Sequence, residues 1–360
     1  MRNTRLEVSR GAFLNNVNAV RKYVGGDILI MPVVKANAYG TYLNRDIDLM
    51  NHFDIIAVAI VDEAVDLRKR GYKKNIFVLN QPYDDELDII AENDIIVGVS
   101  SFSFLEKAIA SNKNIRVHIE IETGMGRTGV AINELDNFIK LIKSSSNVIV
   151  EGVYTHLSSA DVDYEFTNKQ IDLFKNAFFR LKDEFPSIKY AHCSASNGIL
   201  NFKLDFCNLV RPGIILYGYP SSKSAFDKIK LEPVARFVSK ISFVKNVDIG
   251  DSISYGRSFV ASKKMVVATV GCGYADGVMR DLSNKGYVCV RGCRCKILGN
   301  VCMDSFVIDV SNVKDVSVFD DVYIFDNENV TLEELSFVCE TINYEFISSI
   351  GERVPRIFVE

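Results

Sequence analysis

Between residue 28 and about residue 215 the chain alternates short runs of β-branched and aromatic residues with longer stretches that carry apolar residues three and four apart. The runs are Ile28 to Val34, Ile55 to Ile60, Ile76 to Leu79, Ile95 to Val99, Ile115 to Ile121, Val148 to Tyr154, Ile188 to Ala191 and Leu209 to Leu216. The amphipathic stretches between them include Asp62 to Arg70, Asp84 to Glu92, Phe102 to Ala110, Asn133 to Lys143 and Phe166 to Lys182. Strand-then-helix alternation predicts a parallel sheet, because each helix returns the chain to the starting edge. Eight such units favour a closed (β/α)8 barrel; six or seven true strands would leave an open doubly wound sheet. Residues 11 to 24, with Ser9 as N-cap, predict a helix ahead of the first barrel strand.

Beyond about residue 225 the pattern changes, and strand-like runs follow one another directly: Arg236 to Val247, Met265 to Val270, Tyr287 to Val290, Cys295 to Leu298, Phe306 to Val310 and Val322 to Phe325. Turn signals such as Ile249-Gly250-Asp251 and Asn284-Lys285-Gly286 separate them, one helix is expected at Leu332 to Thr341, and a last strand at Arg356 to Val359. The expected organisation is a barrel over residues 9–228 and a mostly β C-terminal domain over 229–360 that also takes residues 1–8.

Composition narrows the function classes. A net charge of -4 without a basic tract argues against nucleic acid and anionic membranes as partners. No segment approaches the roughly 18 apolar residues of a membrane span. The charged start, Met1-Arg2-Asn3-Thr4-Arg5, lacks the apolar core of a signal peptide, so a cytoplasmic location is expected. Cys289, Cys293, Cys295 and Cys302 are spaced C-x3-C-x-C-x6-C, without the C-x2-C knuckle of a zinc site. They read as small hydrophobes of a strand pair, and no metal is expected.

The chemistry collects at the ends of the barrel runs. In "IMPVVKANAYG" an apolar run stops on Lys35. The residue is either a snorkelling lysine or a nucleophile whose pKa burial depresses. Gly124-Met125-Gly126-Arg127 follows the fifth run, His156 ends the sixth, His192 the seventh, and Arg211 lies in the eighth. In a barrel these ends share one mouth, where the active sites of such folds are built. The turns "SASNG" and "RPGI" are ordinary turns or a phosphate cradle of backbone N–H groups and a serine hydroxyl. A nucleophilic lysine opposite such a cradle suits a cofactor with an aldehyde and a phosphate, pyridoxal phosphate.

Taken in order, "VVKANAYG", "ETGMGRTG", "GVYTHLSSAD", "RPGI", "SYGRSF", "GCGYADG", "NVCMD" and "TINYE" make the chain resemble the bacterial alanine racemases along nearly its whole length. The resemblance implies a (β/α)8 barrel that binds pyridoxal phosphate, a β-rich C-terminal domain, and a homodimer whose active sites draw on both chains. It implies that Lys35 holds the cofactor and is the base for one face of the substrate. Tyr255, in "SYGRSF", resembles the opposing base and is expected to arrive from the partner subunit. Arg211 resembles the residue that faces the pyridine nitrogen, and His156 and His192 the hydrogen-bond chain between that arginine and the tyrosine. Arg127 is similar to the residue near the cofactor's phenolic oxygen and the substrate carboxylate. Tyr39, Ser196, Gly213, Ile214 and Tyr344 resemble the phosphate shell, and Tyr274, Cys302, Met303 and Asp304 the substrate side.

Racemisation needs these types: two bases on opposite faces of one Cα, here a lysine and a tyrosine. A tyrosine of pKa about 10 needs neighbours that favour its phenolate, which a His156-Arg211 chain offers. An arginine that gives up no proton leaves the pyridine nitrogen neutral, which limits reprotonation at the wrong carbon. The expected activity is interconversion of L- and D-alanine for peptidoglycan supply. The alternatives are a racemase for serine or a broader set of amino acids, a barrel decarboxylase, and a cofactor-binding regulator on the same scaffold.

Three features depart from the family's pattern. Thr41-Tyr42 stand where His-Gly usually follows "AYG", and Ala195 where asparagine is common. Glu120 occupies the place of a lysine that many members carry in carbamylated form, seven residues before Arg127. Alternation along "IRVHIEIE" puts His118, Glu120 and Glu122 on one face, so Glu120 is expected to be solvated or paired, and Arg127 is the expected cation.

Overall fold

The computed structural model describes residues 3–220 and 228–360, and the chain divides into two compact units. The change of texture expected near residue 225 lies outside the described residues.

The first unit spans Leu14–Ala38 and Leu43–Glu232 and is built on parallel strands. Six of them, Ile55–Val58, Asn75–Val78, Ile96–Val99, Ile115–Glu120, Val148–Tyr154 and Tyr190–His192, pair in sequence order. Leu29–Ile30 and Leu209–Val210 pair with each other in parallel. Backbone hydrogen bonds join this pair to both edges of the six: Val34 N to Ala57 O at 2.8 Å and Ala57 N to Pro32 O at 2.8 Å on one side, Asn208 N to Ala191 O at 3.2 Å and Arg211 N to Ser194 O at 2.9 Å on the other. Eight parallel strands therefore close on themselves, as the count of runs predicts.

Both ends of the seam are shorter than the apolar runs suggest. Of Ile28 to Val34, only Leu29–Ile30 and a single bridge at Val33 are paired as strand, because Pro32 has no N–H to give. Of Leu209 to Leu216, the strand is Leu209–Val210, and Ile214–Tyr217 forms a 3-10 turn after Pro212-Gly213. The helices Val61–Lys69, Leu87–Glu92, Phe102–Ala110, Leu135–Lys143 and Tyr164–Glu184 lie where the amphipathic stretches place them, within a few residues. Short helices at Ile47–Met50 and Ser196–Asn201 have no counterpart in the pattern.

The second unit comprises Met1–Phe13, Tyr39–Tyr42 and Pro233–Glu360. Its long strand Ala235–Val247 pairs with Asp321–Phe325 near its start and with Met265–Val270 near its end. Phe306–Asp309, Cys293–Leu298 and Tyr287–Val290 complete a six-strand ring between those two. Arg5–Ser9 pairs with the long strand and, in parallel, with Arg356–Val359, which ties both chain ends into this sheet. Phe237, Phe325 and Phe346 pack edge-on in its core, with centroids 6.0 Å and 6.1 Å apart. The expected helix Leu332 to Thr341 ends at Val338, and a second helix, Asn343–Ser348, carries Tyr344. Cys289 and Cys295 are buried on the hairpin, Cys293 and Cys302 are half-buried, and all eight cysteines are free thiols. Among the described residues no His, Cys, Asp and Glu cluster could hold a metal ion, and no helix is long and apolar enough to cross a membrane.

Candidate active site

Lys35 leaves the first barrel strand into an unusual backbone. Ala36, Asn37, Ala38 and Tyr39 all have φ between 52 and 55°, a left-handed turn made of residues with side chains. That conformation costs roughly 1–2 kcal/mol per residue outside glycine, and small residues and asparagine bear it best. Glu63 braces the turn: one carboxylate oxygen accepts from Ala36 N at 2.6 Å and the other from Ala59 N at 2.7 Å. Ala38 N also donates to Val34 O at 2.9 Å. Sequence reasoning did not single out Glu63, which reads as a first-turn helix acid. Glu63→Gln is expected to set an amide N–H against one of the two backbone donors, at a cost of about 1–3 kcal/mol. Hydrogen exchange should then show lost protection at the Ala36 and Ala59 amides ahead of global unfolding.

The Lys35 amine is half-buried and has no ion-pair partner among the described residues. Burial holds it below the ordinary lysine range, the Arg127 charge adds to that, Glu63 opposes it and Arg211 contributes least. Arg127 is exposed on the loop after the fifth strand. Glu122 shapes this loop by accepting from Gly126 N at 2.9 Å and from Gly124 N. Gly129, with φ at 123°, is needed because a Cβ there would lie 2.5 Å from Glu122 N.

Arg211 is buried under the mouth and held on several sides. Its Nη1 donates to His192 O at 2.9 Å and bonds His192 Nδ1 at 2.7 Å. Its Nη2 donates to Thr155 O at 2.9 Å and Cys193 O at 3.2 Å, and meets His156 Nδ1 at 3.3 Å. All of these bonds leave from the two terminal nitrogens, so Nε–H is the donor left for a ligand. Burial, followed by the Arg211, Arg127 and Lys35 charges, holds the His156 imidazole down to about 3, so it is neutral at physiological pH. Beside this cluster Gly213 N donates to the Ser196 hydroxyl at 3.3 Å, and Ile214 is fully buried behind them. The barrel unit thus brings together Lys35, Arg127, His156, His192, Ser196, Arg211, Gly213 and Ile214.

Two further buried residues complete the interior. His118 bonds His192, and the Tyr154 ring stacks on that of His192 with centroids 5.1 Å apart. Alternation already set His118 on the same face as Glu120; what pattern reading lacked was the histidine opposite it. Glu120 is 4% exposed, so it is not solvated. Its partners are hydroxyls, Tyr154 at 3.1 Å and Thr128, and no ion pair within 4.0 Å joins it to Arg127, which bears on it only as a nearby charge. The direct pairing expected from the sequence is therefore not formed. The physical reason is reach: Arg127 lies exposed on the loop, while Glu120 lies in the barrel wall.

Burial raises the Glu120 carboxyl above its ordinary range, and the hydroxyl bonds and arginine charges offset only part of this. The stability it contributes is full below the ordinary glutamate pKa and is lost as pH rises through the raised value. Glu120→Gln, which never ionises, is expected to match or exceed the parent's Tm above that pH, while turnover falls less than about tenfold through Arg127. Thermal melts across pH check the first half, and rates with and without bicarbonate the second; bicarbonate should leave the parent unchanged.

The remaining residues lie in the second unit. Tyr39, 8% exposed, faces Tyr344 with ring centroids 6.1 Å apart, and burial raises its phenol well above the ordinary tyrosine value. Tyr255 sits in a tight turn with Ser254 at φ 65° and Gly256 at φ 69°. Asn300 fixes that turn, donating from Nδ2 to Tyr255 O at 2.8 Å and accepting at its carbonyl from Ser254 Oγ at 2.6 Å. The backbone is pinned, yet the Tyr255 side chain is 73% exposed. Tyr274 N donates to Cys302 O at 3.0 Å and Ala275 N to Met303 O at 3.1 Å, an approach that Gly273 permits because a Cβ there would strike both carbonyls. Asp304 pairs with Arg353 at 2.6 Å, and the same guanidinium holds the buried Asp276 at 2.7 Å. Arg353 and Asp276 escaped sequence reasoning, since only the fold brings them together.

The model for the alanine racemase N-terminal domain matches residues 8–221, and the model for its C-terminal domain matches residues 234–358. The alanine racemase of Halothermothrix orenii is 37% identical over 365 residues, covering 99% of this chain and 96% of that protein. That of Methanococcus maripaludis is 36% identical, covering 98% of each. Among solved structures, the alanine racemase from Bacillus anthracis with bound L-Ala-P has a TM-score of 0.92 at 33% identity, covering 100% of this chain and 96% of that one. The alanine racemase from E. faecalis has a TM-score of 0.93 at 30% identity, covering 99% of this chain and 98% of that one.

Proposed function

This chain belongs to the alanine racemase family, and from that premise we propose that it interconverts L- and D-alanine with pyridoxal phosphate, supplying D-alanine for peptidoglycan as a cytoplasmic homodimer with composite sites. We take residues 9–228 as the cofactor-binding barrel and 229–360, with 1–8, as the second domain. The observation that carries the reading is Lys35: an unpaired, half-buried amine, held below its ordinary pKa, at the mouth of a closed barrel.

The residues present suit the cofactor. An amine whose pKa burial lowers reacts more readily with an aldehyde, the unused Nε–H of Arg211 suits a pyridine nitrogen, and the Ser196 hydroxyl with the Gly213 N–H suits a phosphate, joined in this reading by Ile214, Tyr39 and Tyr344. When bound, pyridoxal phosphate supplies an aldehyde to engage the substrate amine and a ring that acidifies Cα–H. Lys35 Nζ takes or returns the Cα proton on one face. Tyr255 Oη, from the partner subunit, serves the other. His156, neutral and bonded through Nδ1 to Arg211, has its Nε2–H available to favour the Tyr255 phenolate. Arg211 remains protonated and donates without releasing a proton. Arg127 orients the substrate carboxylate, and Tyr274, Cys302, Met303 and Asp304 bound its side-chain space.

Purified protein incubated with pyridoxal phosphate and a panel of L-amino acids, read by chiral chromatography, should yield D-alanine fastest. D-serine as the main product would replace this with a serine or broad-specificity racemase, and loss of carbon dioxide without D-product would indicate a decarboxylase.

A further inference from the structure

The chain has four histidines, and three of them join one buried network anchored on Arg211. A guanidinium has donors and no acceptor, so each imidazole nitrogen facing it must present a lone pair. His192 Nδ1, 2.7 Å from Arg211 Nη1, is therefore unprotonated, and the His192 proton is on Nε2. That Nε2 lies 2.8 Å from His118 Nδ1, which must accept in turn, so the His118 proton is also on Nε2. On the other arm, His156 Nδ1 accepts from Arg211 Nη2, and its proton is on Nε2. One guanidinium sets the tautomer of three rings.

Proton counting explains the far end. A chain that begins on a donor-only group passes one surplus N–H along until it meets an acceptor. Here it stops at His118 Nε2, buried and without a hydrogen-bond partner. An orphan N–H is destabilising, and replacing His118 with an apolar residue would not remove it. The orphan would move back to His192, next to Arg211. The site is built to keep it on His118, whose ring stacks on Phe77 with centroids 4.5 Å apart and fills the space over Gly152, where a Cβ would lie 2.7 Å from the imidazole. Burial, then the Arg116 and Arg211 charges, holds His118 down to about 3, and burial keeps His192 well below the ordinary range, so both rings remain neutral.

We propose that His118 is a positioning residue: by accepting the His192 Nε2 hydrogen bond it fixes the ring plane of His192, whose tautomer Arg211 sets, and through that ring the guanidinium of Arg211. The consequence for turnover rests on reading Arg211 as the residue beneath the cofactor ring, whereas the tautomer pattern does not. Full-length protein labelled with 15N-histidine, with and without pyridoxal phosphate, provides the test, with exposed His52 as the reference for an imidazole outside the network. Three rings should be neutral Nε2–H tautomers. His118→Phe, which keeps the stacking but offers no acceptor, should leave His192 in the Nε2–H tautomer that Arg211 sets, shift its Nε2–H signal as the hydrogen bond is lost, and lower kcat by about tenfold with a smaller change in KM. His118→Gln, which keeps an acceptor, should restore part of both. An Nδ1–H form of His118 or His192 in the parent protein overturns the proposal whether or not any variant folds. So does a folded His118→Phe protein with an unchanged His192 signal and unchanged kcat. A parent protein inactive on alanine would instead defeat the activity reading, and the tautomers would still decide this one.

Discussion

Lys35→Ala is expected to lower alanine racemisation by at least about 10³-fold, because one substitution removes both the group that holds the cofactor and the base for one face. Burial and neighbouring guanidinium charge hold the amine's pKa down, and among the described residues no carboxylate pairs with it. Its left-handed turn, braced by Glu63, is a costly backbone to maintain for a side chain without a task. Borohydride reduction of the parent protein loaded with pyridoxal phosphate, followed by peptide mapping, should place the pyridoxyl group on Lys35. The variant should carry none there. An adduct on another lysine would remove Lys35 from the mechanism.

Tyr255→Phe should also lower turnover steeply, by about 10²- to 10⁴-fold in each direction, while leaving the fold and cofactor retention intact. Its turn is fixed by Asn300 and Ser254, and the side chain still stands 73% exposed. A pinned backbone presenting an open phenol suits a group delivered to another chain. Lys35→Ala and Tyr255→Phe dimers, each nearly inactive, should therefore recover activity on mixing under subunit exchange, since mixed dimers contain one site with both bases. Proven exchange without recovery would place both bases in one chain.

The barrel was legible in the sequence because burial on both faces of a parallel strand leaves an apolar run, and the helices between leave a 3.6-residue period. Lys35, His156, His192 and Arg211 could be placed at strand ends for the same reason: side-chain position along a strand is a local property. The seam strands were overestimated, since Pro32 and Pro212 withhold backbone donors that apolar composition does not report.

What local pattern could not supply was pairing between distant segments. Glu120 was correctly assigned to a face with His118, yet its partners, Tyr154 and Thr128, depend on the closure of the barrel wall. The same holds for His118 and His192, 74 residues apart, and for Arg353 with Asp276, 77 apart. The left-handed run after Lys35 is likewise a tertiary decision: no propensity favours four such residues in succession, and it persists because Glu63, from the next unit of the barrel, captures the Ala36 N–H. The sequence by itself determined the order of elements, the two textures and the residue types at the strand ends, because these follow from periodicity and backbone chemistry within a few residues. The tertiary structure alone decided which buried polar groups meet and which tautomers they hold, because those depend on hydrogen bonds whose partners lie far apart in the chain.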